Sequence, residues 1–331
     1  MPRYAARMSN IDTRLVGTSG LSVAPLALGG NVFGWTADEA TSLDLLDAFV
    51  DAGGTMIDTA DVYSAWVPGH QGGESETVIG NWLKRDPAKR DKVVIATKVG
   101  FLDGKIEDGE YVASLAPQVI ARAAEASLAR LGVDTIDLYY QHRDNPEVPL
   151  ADSLGAFDSL RRAGKIRAIG LSNFTAPRVE EALSVSIDQG FDQPAALQNW
   201  YNLVERGKFE GELQDVTVAH GLAMFPYYSL ANGFLSGKYR SKDDLAQSPR
   251  GLRSAEYLEG KGPRVLAALE EVAAETGAAM ATVALSWLKA QPGVTAPIAS
   301  ATSMKQVREL IAALSLDLSP GQVEALNAAS E

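Results

Sequence analysis

Residues 136–173, IDLYYQHRDNPEVPLADSLGAFDSLRRAGKIRAIGLSN, hold one full repeat of the pattern that decides the fold. Ile136–Tyr140 is a short apolar run with the look of a buried strand. A polar loop follows, then a helix-like stretch near Leu150–Ala163 that ends at Gly164. Ile166–Leu171 is a second apolar run. Two such runs joined by a helix form a strand–helix–strand unit, and units of this kind build parallel sheets.

The same alternation continues outward in both directions. Ala24–Leu28, Thr55–Asp58, Val93–Lys98, Ala195–Trp200, Leu222–Tyr227 and Thr295–Ala299 are further buried-strand runs, about eight in all. Helices are expected over about Asp38–Ala52, where Leu43, Leu46 and Val50 fall at helical spacing before Gly53-Gly54. Others are expected near Ser75–Lys84, Pro117–Leu131, Pro177–Ile187 and Phe209–His220. Pro117 suits a first helical turn, and Gly132 and Gly221 follow helix ends. A long connection rich in Gly, Ser, Lys and Asp follows the seventh run. Helices over about Pro263–Thr276 and Thr282–Lys289 precede the last run, and two more, Met304–Ala313 and Gly321–Ala329, follow it.

Eight strand–helix units in this length predict an α/β fold, a (β/α)8 TIM barrel with extra C-terminal helices. Arg14–Val16 and Leu21–Val23, around Gly17-Thr18-Ser19-Gly20, add an N-terminal β-hairpin. The rival is a doubly wound open sheet, which usually opens on a Gly-rich phosphate turn. Leu28-Gly29-Gly30-Asn31 lacks the G-x-G-x-x-G spacing, and no composition break marks a second domain. One domain over 13–331 is expected, behind a disordered lead-in, 1–12, that has no apolar core of a signal peptide.

The charge balance narrows the function. Lys plus Arg number 30 and Asp plus Glu 42, a net charge of -12. That argues against a nucleic-acid partner, which needs clustered positive charge. Hydrophobic residues make up 46%, too many for a disordered chain, and no apolar run reaches the ~20 residues of a membrane span. With no Cys in the sequence, disulfides, thiol catalysis and Cys-based metal sites are excluded. His70, His142 and His220 stand too far apart in sequence for a multi-His metal centre, so no metal is expected. A cytoplasmic location is expected, as a monomer or small homo-oligomer.

In such a barrel the active site forms at the C-terminal ends of the strands. Asp58, Lys98 and His142 end successive strands there, and Tyr63 lies one loop step beyond Asp58. A tyrosine titrates near 10, and a neighbouring ammonium favours its phenolate. Asp58 would orient Lys98, and Tyr63 would then give or take a proton near neutral pH. Such a set suits protonation of an alkoxide formed when a carbonyl receives hydride, and the hydride must come from a cofactor.

The stretches Met56-Ile57-Asp58-Thr59-Ala60-Asp61-Val62-Tyr63, Val94-Ile95-Ala96-Thr97-Lys98, Asp137-Leu138-Tyr139-Tyr140-Gln141-His142 and Gly170-Leu171-Ser172-Asn173-Phe174 resemble the aldo-keto reductase superfamily. Thr18-Ser19-Gly20-Leu21, Leu28-Gly29-Gly30 and Gly233-Phe234-Leu235-Ser236-Gly237-Lys238 extend the resemblance across most of the chain. It implies a reductase passing hydride from NADPH, or NADH as runner-up, to a small aldehyde or ketone. Tyr63 would be the general acid–base, Lys98 would lower its pKa, Asp58 would pair with Lys98, and His142 would orient the carbonyl. Ser172, Asn173 and Gln198 match positions that hold the nicotinamide carboxamide. Tyr227 matches the stacking aromatic, with Tyr228 as the alternative register. Leu230, Gly233, Leu235 and Lys238 match the pyrophosphate loop, and Gly30 and Asn31, at the end of the first strand, are expected among the cofactor-binding residues. Basic residues that meet a 2′-phosphate in relatives are here Ser300, Thr302 and Gln306, and Leu310 replaces an adenine-binding Asn. Lys305 and Arg308 stand nearby, and Arg240 follows Lys238.

Phe33, Trp35, Trp66 and Phe101 point to an apolar or aromatic-tolerant substrate pocket. His220, just before Gly221, reads as a helix C-terminal charge partner, and His70 as part of a mobile loop. Two other functions are carried forward: a Schiff-base lyase or aldolase using Lys98, and a non-catalytic cofactor-sensing subunit.

Overall fold

The computed structural model describes residues 11–100, 105–107, 110–248 and 251–331. Most of the expected lead-in, 1–10, and Phe101 lie outside the described residues. The chain begins with the antiparallel strands β1 (Arg14–Leu15) and β2 (Ser22–Val23). It continues through β3 (Ala27–Gly29), α1 (Glu39–Asp51), β4 (Met56–Asp58), α2 (Glu74–Arg85), β5 (Val94–Val99), β6 (Lys105–Glu107), β7 (Glu110–Val112), α3 (Pro117–Leu131) and β8 (Ile136–Gln141). The second half runs α4 (Leu150–Arg162), β9 (Ile166–Ser172), α5 (Ala176–Gln189), β10 (Ala196–Gln198), α6 (Glu212–Ala219), β11 (Ala223–Met224), α7 (Gly262–Thr276), α8 (Met280–Lys289), β12 (Ile298–Ala299), α9 (Met304–Ala312) and α10 (Pro320–Ser330).

Eight of these strands pair in parallel in the order β11-β10-β9-β8-β5-β4-β3-β12. The ends of that order meet through Thr295 N–H to Met224 O (2.8 Å) and Ile298 N–H to Pro226 O (2.8 Å), which curls the sheet into a barrel. All eight expected strands are present, along with the N-terminal hairpin and the C-terminal helices.

The barrel interior is filled, not hollow. Ala27, Ala96, Ala168, Ala196, Ala223 and Ala296 surround the large side chains Met56, Tyr140 and Phe225. This pairing of small with large residues lets the layers interdigitate. Tyr140 sits opposite Gly170 in register, and a Cβ at Gly170 would lie 2.3 Å from the Tyr140 ring. The hairpin seals the N-terminal end, because Val16, Leu21 and Val23 are buried in the same interior cluster. Two larger apolar clusters lie between the strands and the helices. The interior plug and the sealed end leave the C-terminal rim as the open face.

Two features go beyond the sequence expectation. The β6–β7 hairpin is inserted after β5, and the Asp108-Gly109 pair between its strands is a short-range hairpin signal. Among the described residues, the long connection after β11 has 3₁₀ segments at Asp243–Gln247 and Gly251–Leu258, and at Ala231–Ser236 a pair of turns broken by the left-handed Asn232 and Gly233. Among the described residues, no helix is long and apolar enough to cross a membrane.

Candidate active site

β4 and β5 are neighbours, so Asp58 and Lys98 reach the same rim. Lys98 is fully buried and Asp58 is 2% exposed. The Lys98 ammonium donates to Asp58 Oδ2 (2.7 Å), Thr59 O (2.7 Å) and the Tyr63 hydroxyl (3.3 Å). An ammonium has three donors, and each has an acceptor here. That satisfaction is what makes a buried cation tolerable. Asp58 Oδ1 accepts from Gln198 Nε2 at 2.8 Å, so the carboxylate is held from both sides.

The electrostatics depart from the simple expectation for Tyr63. Its phenol is pushed well above 10, first by burial and then by the Asp58 carboxylate, with the neighbouring acidic groups of Tyr228 and Asp61 adding to it. The net shift is upward even though the Lys98 ammonium donates to the hydroxyl, so burial and the Asp58 carboxylate outweigh the lowering expected from that cation. Burial also lowers Lys98, with Asp58 opposing. Tyr63 therefore carries its proton and is poised as a donor. Burial, then the positive charges of Lys98 and Arg143, push His142 well below 6.5, so its ring is a neutral imidazole. The Tyr63 and His142 ring centroids lie 6.2 Å apart.

A polar chain continues around the rim. Asn173 has φ +60, in the left-handed region that Asn tolerates. Its Nδ2 donates to His142 O (2.8 Å) and Ser172 Oγ (3.1 Å). Its Oδ1 accepts from the Tyr227 hydroxyl at 2.5 Å. The Asn173 N–H donates to Asn199 Oδ1 (3.1 Å), a positioning residue that sequence reading passed over. Ser172, Asn173, Gln198 and Tyr227 are thus gathered beside the Asp58–Lys98–Tyr63–His142 set. Tyr228 packs against Tyr227 and Trp200, with ring centroids 5.1 Å away in each case.

The loop after β11 has the properties of an anion cradle. Tyr228, Ala231, Asn232 and Gly233 have φ of 52, 47, 57 and 97, a run of positive-φ backbone of the kind found in anion-binding turns. Asn232 Oδ1 is buried without a hydrogen-bond partner. A Cβ at Gly233 would lie 2.8 Å from Lys238 Nζ, so glycine lets the exposed Lys238 lie across the turn. Leu230 is partly exposed, while the Leu235 side chain is fully buried in the core and cannot face a ligand. Arg240 is tied to Glu270 at 3.2 Å.

At the neighbouring rim, Ser300 Oγ donates to Asn31 Oδ1 at 2.5 Å. Thr302 donates through N–H (2.7 Å) and hydroxyl (3.0 Å) to Gln306 Oε1. Lys305 and Arg308 are exposed on α9, and Lys305 lies 4.0 Å from Glu309. The N–H groups of Ala231, Gly233 and Leu235 brace the turn internally, so its fit to the diphosphate of a dinucleotide rests on the exposed Lys238 ammonium, which lies 4.8 Å from the Tyr239 ring centroid. Gly30 has a packing role: a Cβ there would lie 2.7 Å from Ser75 Oγ.

The expected pocket aromatics divide. Trp35 and Trp66 meet edge to face at 5.6 Å, and Trp66 meets Tyr63 at 5.8 Å. Trp66 is 48% exposed. Phe33 is fully buried in the core, so it is not a pocket wall, a correction to the sequence expectation. His220 follows α6 and lies 3.2 Å from the Glu180 carboxylate. His70 lies in the loop before α2, where the Glu74 carboxylate accepts the backbone N–H groups of Gln71 (2.8 Å) and Ser64 (3.3 Å).

Residues 25–331 match the family model of the Aldo/keto reductase family. The chain is similar to the uncharacterized oxidoreductase YrpG of Bacillus subtilis, 32% identical over 94% of this chain and 94% of that protein. It is similar to protein tas of Escherichia coli, 32% identical over 91% of this chain and 92% of that one. The fission yeast Schizosaccharomyces pombe has aldo-keto reductase yakc, named for NADP(+), 29% identical over 97% of this chain and 92% of its own. The chain belongs to the aldo/keto reductase family. It is an oxidoreductase of a family that uses a nicotinamide cofactor on small carbonyl compounds.

Proposed function

We propose that this protein reduces a small aldehyde or ketone to the alcohol, with Tyr63 as the proton donor. The observation that carries this reading is the Tyr63 hydroxyl 3.3 Å from a fully buried ammonium, with the Tyr63 and His142 ring centroids 6.2 Å apart. Burial raises the phenol and lowers the imidazole, which favours the protonated and the neutral form respectively. When bound, the reduced nicotinamide supplies the hydride. The chain's own residues then hold the carbonyl and deliver the proton. His142 and the Tyr63 hydroxyl hydrogen-bond the substrate oxygen. As negative charge develops there, Tyr63 gives up its proton, and Lys98 steadies the phenolate left behind. Asp58 and Gln198 fix the ammonium in place.

Ser172, Asn173 and Gln198 would hold the carboxamide, Tyr227 and Tyr228 the ring face, and the 230–238 turn with Lys238 the diphosphate. The dinucleotide in this reading is NADPH, the cofactor in the fission yeast relative's name. NADH is the alternative that neutral Ser300, Thr302 and Gln306 favour. Exposed Lys305 and Arg308 are the charges available to a 2′-phosphate. The half-exposed Trp66 with Trp35 favours apolar or aromatic substituents on the carbonyl. A Schiff-base role for Lys98 is disfavoured, since its ammonium is fully buried and has acceptors for all three donors.

The test is a panel of carbonyl compounds run with NADPH and NADH in parallel on wild type and Tyr63→Phe. The expected result is a drop of about 10²–10⁴-fold in kcat for the variant, with dinucleotide affinity by fluorescence titration unchanged. Wild-type turnover in Tyr63→Phe refutes the acid role.

A further inference from the structure

One buried carboxyl beside the site has no part in this scheme. Asp61 is 1% exposed. Its backbone N–H donates to Lys98 O at 3.2 Å. Its carboxyl accepts the backbone N–H of Gly100, with the N–H of Val62 close by, and Oδ1 has no hydrogen-bond partner. These contacts fasten the segment bearing Tyr63 to the end of β5. The ionisable groups around it come from every neighbouring element. α2 supplies Glu76, α3 Arg130, β5 Lys98 and β8 Tyr139, while Tyr63 lies on its own segment.

A count of charge shows the imbalance. Asp58, Asp61 and Glu76 are three buried carboxyls. Two cations face them. Lys98 is committed to Asp58. Arg130 is committed to fully buried Glu76, with Nε and Nη2 each 2.7 Å from Oε2. The Thr97 hydroxyl fills Glu76 Oε1 at 2.6 Å. No ion pair joins Asp61 to either cation among the described residues. Three carboxyls against two cations leave one negative charge uncompensated in a region closed to water. A buried group in that position keeps its proton instead.

We propose that Asp61 carries that proton in the working enzyme and is a positioning residue for Tyr63, holding its segment without adding charge beside the Lys98–Tyr63 contact. This rests on the reading of Tyr63 as the proton donor. Burial, then Glu76, push the Asp61 carboxyl up to about 8, with Arg130 and the two backbone donors opposing. Ionised, Asp61 would release its proton to solvent and hold the Tyr63 proton more tightly. Tyr63 would then be a poorer acid, so carbonyl reduction falls on the alkaline side while substrate binding is unchanged.

Two measurements test this together. The first is carbon-13 NMR of protein labelled at the aspartate carboxyl carbons, wild type against Asp61→Asn. One resonance titrating near pH 8 is expected, and it should be missing from the variant. The second is the pH profile of kcat for carbonyl reduction. Asp61→Asn should keep kcat within about threefold near neutrality, leave KM unmoved and shift the alkaline limb up by about one pH unit or more. Superimposed profiles, or every aspartate carboxyl ionised by about pH 6, overturn the proposal. If Asp61→Asn fails to fold, the wild-type resonance decides the protonation alone. If that resonance titrates as expected but no carbonyl is reduced, the reductase reading and the role toward Tyr63 are overturned, and the assigned proton stands.

Discussion

Replacing Lys98 with Met separates the architecture of the site from its chemistry. The substitution keeps an unbranched chain, one atom shorter, and removes the charge. Asp58, 2% exposed, then retains only Gln198 as a side-chain partner. Removing one member of a buried ion pair costs about 3–5 kcal/mol, because the other charge is left uncompensated. Asp58→Asn does the converse, leaving a fully buried ammonium with Thr59 O, the Tyr63 hydroxyl and a neutral amide. Independent effects would sum to about 6–10 kcal/mol, enough to unfold many domains whose total stability is about 5–15 kcal/mol. The double variant Asp58→Asn/Lys98→Met has no stranded charge. It should therefore lose only about 3–5 kcal/mol, a coupling of about 3–5 kcal/mol in favour of the pair. Urea unfolding followed by circular dichroism gives the four corners of the cycle. Activity should not follow stability: both singles and the double should lose about 10²–10⁴-fold in kcat. Additivity of the two losses to within about 0.5 kcal/mol would refute the reasoning, since independent sites add that closely.

Two other outcomes test the cradle and the buried carboxyl. Gly233→Ala places a methyl against Lys238 Nζ at a φ of +97, which disturbs both the turn and the cation. Dinucleotide affinity by fluorescence titration should weaken by about tenfold, on the order of 1.4 kcal/mol, with the melting temperature little changed. Asp61 also predicts how stability varies with pH. Its carboxyl ionises near 3.8 when free and at about 8 in the fold. The folded chain thus holds an extra proton between those values, so this contribution is complete at low pH and lost as pH rises through about 8. Asp61→Asn, which has no such proton, should gain on wild type between about pH 4 and 8 by a margin on the order of 5 kcal/mol. A flat difference across that window in urea unfolding would contradict the buried neutral carboxyl.

The repeating scaffold was legible because each strand is a short apolar run and several helices end in glycine, as at Gly132, Gly164 and Gly221. The rim residues were legible for the same reason: strand ends name the site in a parallel barrel. What escaped depends on contacts distant in sequence. Phe33 follows a strand as a pocket aromatic would, yet it is packed in the core below the loop, with its carbonyl accepting the Ser64 hydroxyl. Asp61 stands in a loop, where a carboxylate ordinarily meets water. It is buried instead, among Glu76 from α2 and Arg130 from α3, respectively 15 and 69 residues further along. The tuning of Tyr63 was misjudged because a sequence shows which charges are near but not which are already engaged. The β6–β7 hairpin was overlooked since its strands, Lys105–Glu107 and Glu110–Val112, are three residues each and carry little apolar signal.

The bond from Gln198 to Asp58 joins strands that are four places apart in a ring of eight, so it runs straight across the mouth. It is a diameter and not a neighbour contact. A partly curled sheet carrying every strand and helix would still lack it, because β10 and β4 meet only after the ring has shut. Regain of activity during refolding should therefore lag regain of helical signal. Turnover would then act as a gauge of closure, reporting the last large-scale event of assembly, not the formation of the parts.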